Sequence, residues 1–110
     1  MTQPLFYPDW REIVSFSSDG VQPQILVETD TFKAVLVGIK ADQTIPLHPG
    51  PVSAYHVLQG TGWFIIGEER IAVRPGATVI VPTGASRGLE AKTQMVFMGT
   101  QAKDTPTYQR

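Results

Sequence analysis

Hydrophobic positions in this chain come in short bursts rich in Val, Ile, Phe and Thr, and each burst ends in turn-forming residues. Ten glycines and nine prolines supply that punctuation. Short β-prone runs with frequent turns predict an all-β sandwich or barrel. Strands are predicted at 13–16, 24–29, 33–41, 54–59, 62–67, 69–74, 78–82, 87–91 and 94–100. No window repeats apolar residues at the helical period for three turns. One helical turn is expected at 8–12, where Pro8 and Asp9 suit a helix start.

Some of these runs do not alternate. Residues 33–41 and 63–66 are apolar on both faces, so both faces need cover. In a chain this small the cover is either an outer layer of the barrel or a second subunit. A C2 homodimer is the expected assembly. Gly67-Glu68-Glu69 predicts a tight hairpin, and Gly60-Thr61-Gly62 and Pro75-Gly76 predict further turns. The polar stretch 101–110 is expected to lie loosely on the surface. No linker or low-complexity segment interrupts the chain, which predicts one domain over 1–110.

Composition narrows the chemistry. A chain of 110 residues buries roughly two thirds of its unfolded surface, enough for one core without staples. Cysteine is absent, which excludes disulfides, thiolate metal sites and cysteine nucleophiles, and fits a reducing compartment. Nine basic and ten acidic residues are scattered singly, giving a net charge of −1. With no basic stripe to track phosphates, nucleic acid is not an expected partner. The first ten residues lack a basic stretch followed by an apolar one, so no signal peptide is expected. The apolar runs are too short to span a bilayer as helices, so a cytoplasmic protein with no membrane partner is expected.

The stretch 40–87 carries a more specific pattern. Val57-Leu58-Gln59-Gly60 closes a segment that opens near Ile45-Pro46-Leu47-His48. Beyond the intervening stretch 61–75, Gly76 is followed by Pro82-Thr83-Gly84 and then Arg87. These two segments resemble the paired motifs of the cupin superfamily, the small RmlC-like jelly rolls. The first family motif runs glycine, five residues, His-x-His, three or four residues, Glu, six residues, Gly. The second runs glycine, five residues, Pro-x-Gly, two residues, His. The resemblance implies a double-stranded β-helix barrel, with the motifs lying within about 40–100.

The resemblance also locates a degenerate site. Cupins hold a metal with three His and one Glu pointing into the barrel. Counted back from Gly60, those positions hold Pro46, His48 and Ser53, and the second motif's His is Arg87. Aligning His48 with the first His instead puts Gly50 at the second and needs a gap. Either way one ligand of four remains, and no resident metal or other cofactor is expected. His56 is the other histidine, and His48 with His56 is the pair any metal would have to use. If Ser53 faces the lumen, strand alternation turns Tyr55 inward and His56 outward, where it is structural or lies at a dimer contact.

Four residues are the candidate ligand contacts: His48, Ser53, Tyr55 and Arg87. His48 either faces a ligand or packs as a remnant of an ancestral metal site. Arg87 either clamps an anionic group or turns to the rim or to a protein carboxylate. Ser53 and Tyr55 are inward donors or filler. Trp63, Phe64, Met95, Phe97 and Met98 are expected in the core or at a subunit interface rather than around a cofactor. The leading expectation is a metal-independent module binding an anionic small organic molecule. The alternatives are a metal-free isomerase or lyase using His48 and Tyr55, a metal-dependent dioxygenase-type enzyme on a non-standard site, and a structural role.

Overall fold

The computed structural model describes residues 3–103. After a 3-10 turn at Trp10–Glu12 come β1 (Gln22–Glu28), β2 (Phe32–Ile39), β3 (Thr44–His48), β4 (Ser53–Gln59) and β5 (Gly62–Ile66). Then follow β6 (Glu69–Val73), β7 (Thr78–Val81), β8 (Arg87–Ala91) and β9 (Met95–Ala102). They form two antiparallel sheets, ordered β1-β2-β9-β4-β7 and β3-β8-β5-β6. The all-β prediction holds.

The sheets face each other across a core built by strand alternation. On β4, Ser53, Tyr55 and Val57 are buried, while Ala54, His56 and Leu58 are only half-buried. Val37 and Ile39 of β2, Met95 and Phe97 of β9, Phe64 of β5, Leu89 of β8 and Val81 of β7 complete the interior. Three rings join the sheets. Phe64 stacks on Tyr55 with centroids 5.3 Å apart and meets Phe97 edge-on at 5.7 Å. Each such pair adds about 0.5–1.5 kcal/mol beyond the area it buries.

The structure corrects the strand expected at 13–16, which is not paired into either sheet. It lies instead across Gly38 of β2. A methyl group on Gly38 would come within 2.5 Å of the Ser15 carbonyl and 2.7 Å of the Val14 side chain, so only glycine allows this approach. Just upstream, Leu5, Tyr7, Trp10 and Ile13 share one groove with Leu36, Leu58 and Met98 on the outer face of the five-stranded sheet. The Tyr7 hydroxyl donates to the Leu26 carbonyl at 2.6 Å. Leu36, on that outer face, is only 1% exposed. The second apolar face of β2 is therefore covered by the chain's own N-terminal segment. A partner subunit is not needed there.

The helical turn expected at 8–12 is realised as the 3-10 turn, capped by Asp9, whose side chain accepts from the Arg11 amide. The stretch around Pro46, where no strand is predicted, is the edge strand β3, paired with β8. Pro46 is tolerated because an edge strand has a free side, and the register shifts between Ile45 and His48. At the far end, Gln101 and Ala102 belong to β9 instead of a loose tail. The rest of that expected tail, 104–110, lies outside the described residues.

The predicted turns appear with the backbone they require. Gly67 opens the β5–β6 hairpin at φ +59°, and Ile66 pairs with Glu69 across it. Gly60 sits at φ +83°, and a Cβ there would lie 2.0 Å from the Gln94 carbonyl oxygen. Among the described residues no helix is long and apolar enough to cross a membrane.

Candidate functional site

Three strands bring the candidate residues together. β4 turns Ser53 and Tyr55 inward, β8 opens with Arg87, and β3 ends on His48, the register partner of Arg87. Between the sheets lies a cavity of about 230 Å³. Val35, Val37, Ile45, Phe64, Leu89 and Phe97 make its apolar wall, and Arg87, Tyr55, His48 and Gln101 its polar side.

Arg87 is the unusual residue. It is 3% exposed, which removes the reading that took it to the rim, and among the described residues no carboxylate pairs with it. The ion pairs among the described residues join Arg11 to Asp9, Arg70 to Glu90 and Lys103 to Glu28, all without Arg87. Its guanidinium instead reaches neutral oxygens on two loops. Nη1 donates to the Pro51 carbonyl at 2.6 Å and to Ser53 Oγ at 2.7 Å, with the Tyr55 hydroxyl at 3.4 Å. Nη2 donates to the carbonyls of Gly50 and Ala85, each at 2.9 Å, with Pro82 at 3.4 Å. Nε donates to Ala85 at 3.2 Å. Every N–H of the fork is thus occupied. The charge is not: no anion is among its partners in the described residues.

This arrangement assigns the neighbours' protons. The Ser53 hydroxyl donates to the Pro51 carbonyl at 2.9 Å while its oxygen accepts from Arg87. Ser53 therefore supports Arg87, and it does not line the cavity. Tyr55 presents a lone pair to Arg87, so its O–H points elsewhere and meets no acceptor among the described residues. The His48 ring is exposed and its Nδ1 lies 3.0 Å from the Pro46 carbonyl. A carbonyl only accepts, so Nδ1 carries the proton, and Nε2 meets no partner among the described residues.

His56 points away from this centre, as alternation predicts. It bonds Thr78 Oγ1 at 2.7 Å across the β4–β7 pair. His48 lines the cavity from β3 of the four-stranded sheet, while His56 is on the outward side of β4 in the five-stranded sheet, so the two-histidine fallback for a metal is not assembled. Among the described residues no group of three or more His, Cys, Asp or Glu comes together. At the four family positions stand a proline, one imidazole, a hydroxyl and a guanidinium, and that donor set does not suit a transition metal. Of the apolar candidates, Phe64, Met95 and Phe97 are core. Met98 lies on the outer face, and Trp63 is covered by the Arg70 guanidinium, 4.0 Å from its ring centroid.

The acceptors that hold Arg87 escape a reading by residue type, since four are backbone carbonyls. The available signal was Pro49-Gly50-Pro51, whose carbonyls lie in a run short of N–H groups. A Cβ on Gly50 would sit 3.3 Å from Arg87 Cζ, a tight contact that shows how closely this loop lies against the guanidinium.

Comparison with solved structures gives the class: the chain has the cupin fold. An RmlC-like cupin from Desulfovibrio desulfuricans superposes with TM-score 0.75 at 26% identity, covering 93% of this chain and 96% of that one. A conserved protein of unknown function from Streptococcus pyogenes superposes with TM-score 0.81 at 20% identity, covering 94% and 91%. A protein with a double-stranded β-helix domain from Klebsiella pneumoniae gives TM-score 0.81 at 18% identity, covering 91% and 90%. No protein-family model matches the chain, and no curated protein sequence matches it.

Proposed function

We propose that the chain binds a small organic anion, a carboxylate on a short apolar body, in the cavity between its sheets and without a metal ion. The observation that carries this reading is a buried guanidinium on the cavity wall with no carboxylate beside it among the described residues. Seven contacts satisfy its N–H groups, and none neutralises its charge. An anion about 5 Å away gains about 3 kcal/mol at an effective dielectric near 20.

The residues divide the work. Arg87 supplies charge rather than a fork, since its donors are spent. The Tyr55 O–H supplies the directed hydrogen bond to a carboxylate oxygen. His48 Nε2 accepts from a ligand hydroxyl at the mouth. Ser53 keeps Arg87 in place. The apolar body lies against Val37, Ile45, Phe64, Leu89 and Phe97. A volume of about 230 Å³ falls below the range of drug-sized pockets, which selects a small ligand.

Titrating the isotopically labelled chain with acetate, butyrate and benzoate tests this by NMR. Benzoate or butyrate should move the amides of Val37, Gly88 and Leu89. Tyr55→Phe should weaken that binding at least about tenfold, the worth of one hydrogen bond to a charged acceptor, with little change in melting. Amides unmoved at about 10 mM of every carboxylate, a Kd too weak to matter, would sink the reading.

A further inference from the structure

The metal site that the fold leads one to look for is already filled by the protein itself: we propose that the Arg87 guanidinium is a resident cation, standing where a metal ion would stand. This deepens the anion-binding reading and rests on it for its functional sense.

Two observations converge. Ser53, at the family's carboxylate position, has its Oγ 2.7 Å from the guanidinium, and His48 is the register partner of Arg87. Positions 53 and 87 therefore meet at the guanidinium, and position 48 stands beside Arg87 across the β3–β8 pair and lines the same cavity. The shell is also specific. Oxygens of Gly50, Pro51, Ser53, Tyr55, Pro82 and Ala85 face the cation, all neutral. Such a shell suits a planar, weakly hydrated cation. It does not suit a transition metal, which prefers imidazole and carboxylate.

His48 keeps one feature of a metal-ligating histidine. Its Nδ1–H is tied to the Pro46 carbonyl, which leaves Nε2 free, as second-sphere carbonyls do for metal-bound histidines. One ligand position persists while its companions hold a proline, a hydroxyl and a cation. The exchange leaves the cavity with a fixed positive charge that chelators do not remove, and with no open coordination position.

Two arms test this. In the first, the wild type, Ser53→Glu/Arg87→His and the same double variant with His48→Ala are titrated with Co²⁺ and Ni²⁺, and Co²⁺ absorption is recorded. The double variant should bind one equivalent with ligand-field bands, lose it with His48→Ala, and differ from a wild type that binds none stoichiometrically. In the second, Arg87→Ala is refolded and melted with and without methylguanidinium. The free cation should enter the vacated shell and raise the melting temperature by roughly 4–8 °C at about ten times its Kd, leaving the wild type unmoved. If Arg87→Ala folds only with methylguanidinium, that also supports the proposal. Stoichiometric, His48-dependent metal binding by the wild type overturns it, as does a folded double variant that takes up no metal. Should the double variant not fold, absence of methylguanidinium rescue overturns it alone. Failure of carboxylates to bind, with both arms as expected, defeats the anion reading and leaves the resident cation standing.

Discussion

Replacing Arg87 with Met keeps the apolar stem and removes the guanidinium. Four of the lost bonds are 2.9 Å or shorter, to Pro51, Ser53, Gly50 and Ala85. Their loss is unequal. The Gly50 carbonyl keeps the Gly84 amide at 2.8 Å, and the Pro51 carbonyl keeps the Ser53 hydroxyl. The Ala85 carbonyl loses both of its contacts to the guanidinium. A hydrogen bond to a charged group is worth about 1.5–3 kcal/mol, and an orphaned buried acceptor costs about 1–3 kcal/mol. Deleting the charge returns part of this, because its desolvation cost disappears with it. The balance is a loss of about 3 kcal/mol, a fall in melting temperature of roughly 10–20 °C for a domain of this size. Thermal and urea unfolding followed by Trp10 and Trp63 fluorescence measures it. Arg87→Lys keeps the charge but cannot bridge both loops with one ammonium, so it should recover less than half. An Arg87→Met protein melting within about 2 °C of the wild type would refute the reasoning, since a cost below about 0.5 kcal/mol means the network holds nothing.

Leu36→Ala should cost about 2–4 kcal/mol although Leu36 sits on an outer sheet face, because the N-terminal segment buries it; a loss below about 1 kcal/mol in urea unfolding would show that the cover is not in place. Gly60→Ala should destabilise by at least about 2 kcal/mol, since the residue must hold φ +83° and its new methyl meets the Gln94 carbonyl at 2.0 Å; a near-neutral melting curve would contradict the turn geometry. The Lys103 ammonium beside Glu28 holds its carboxyl below the ordinary value of 4.5. That pair's small contribution is present above about pH 4.5 and fades as pH falls through the depressed folded value. Glu28→Gln should therefore flatten the acid limb of a melting-temperature profile slightly, and an unchanged limb would assign no weight to the pair.

The barrel was legible where local chemistry dictates it. Gly60 and Gly67 occupy backbone that side chains avoid, so their spacing marks real turns. With Ser53 set inward by its place in the motif, alternation along β4 put Tyr55 inward and His56 outward. What was not legible depends on partners distant in sequence. Residues 13–16 have strand composition, but their apolar side chains pack across Gly38 instead of pairing. Pro46 hid β3, because its tolerance depends on the strand being at an edge, which only the sheet order reveals. Arg87 was placed inward by the motif, yet its fate turned on backbone carbonyls that residue identity does not announce. A reading based on side chains looks for a carboxylate, and the described residues offer none. The structure answers with two loops.

The central claim, a metal-free site for a small carboxylate, is tested most directly by calorimetric titration of benzoate, and of its neutral counterpart benzamide, into wild-type protein in excess EDTA. The account predicts one benzoate per chain, unaffected by the chelator, with benzamide at least about tenfold weaker because it lacks the charge that Arg87 attracts, a difference of about 1.4 kcal/mol. Equal binding of the two, or benzoate binding that EDTA abolishes, would contradict it.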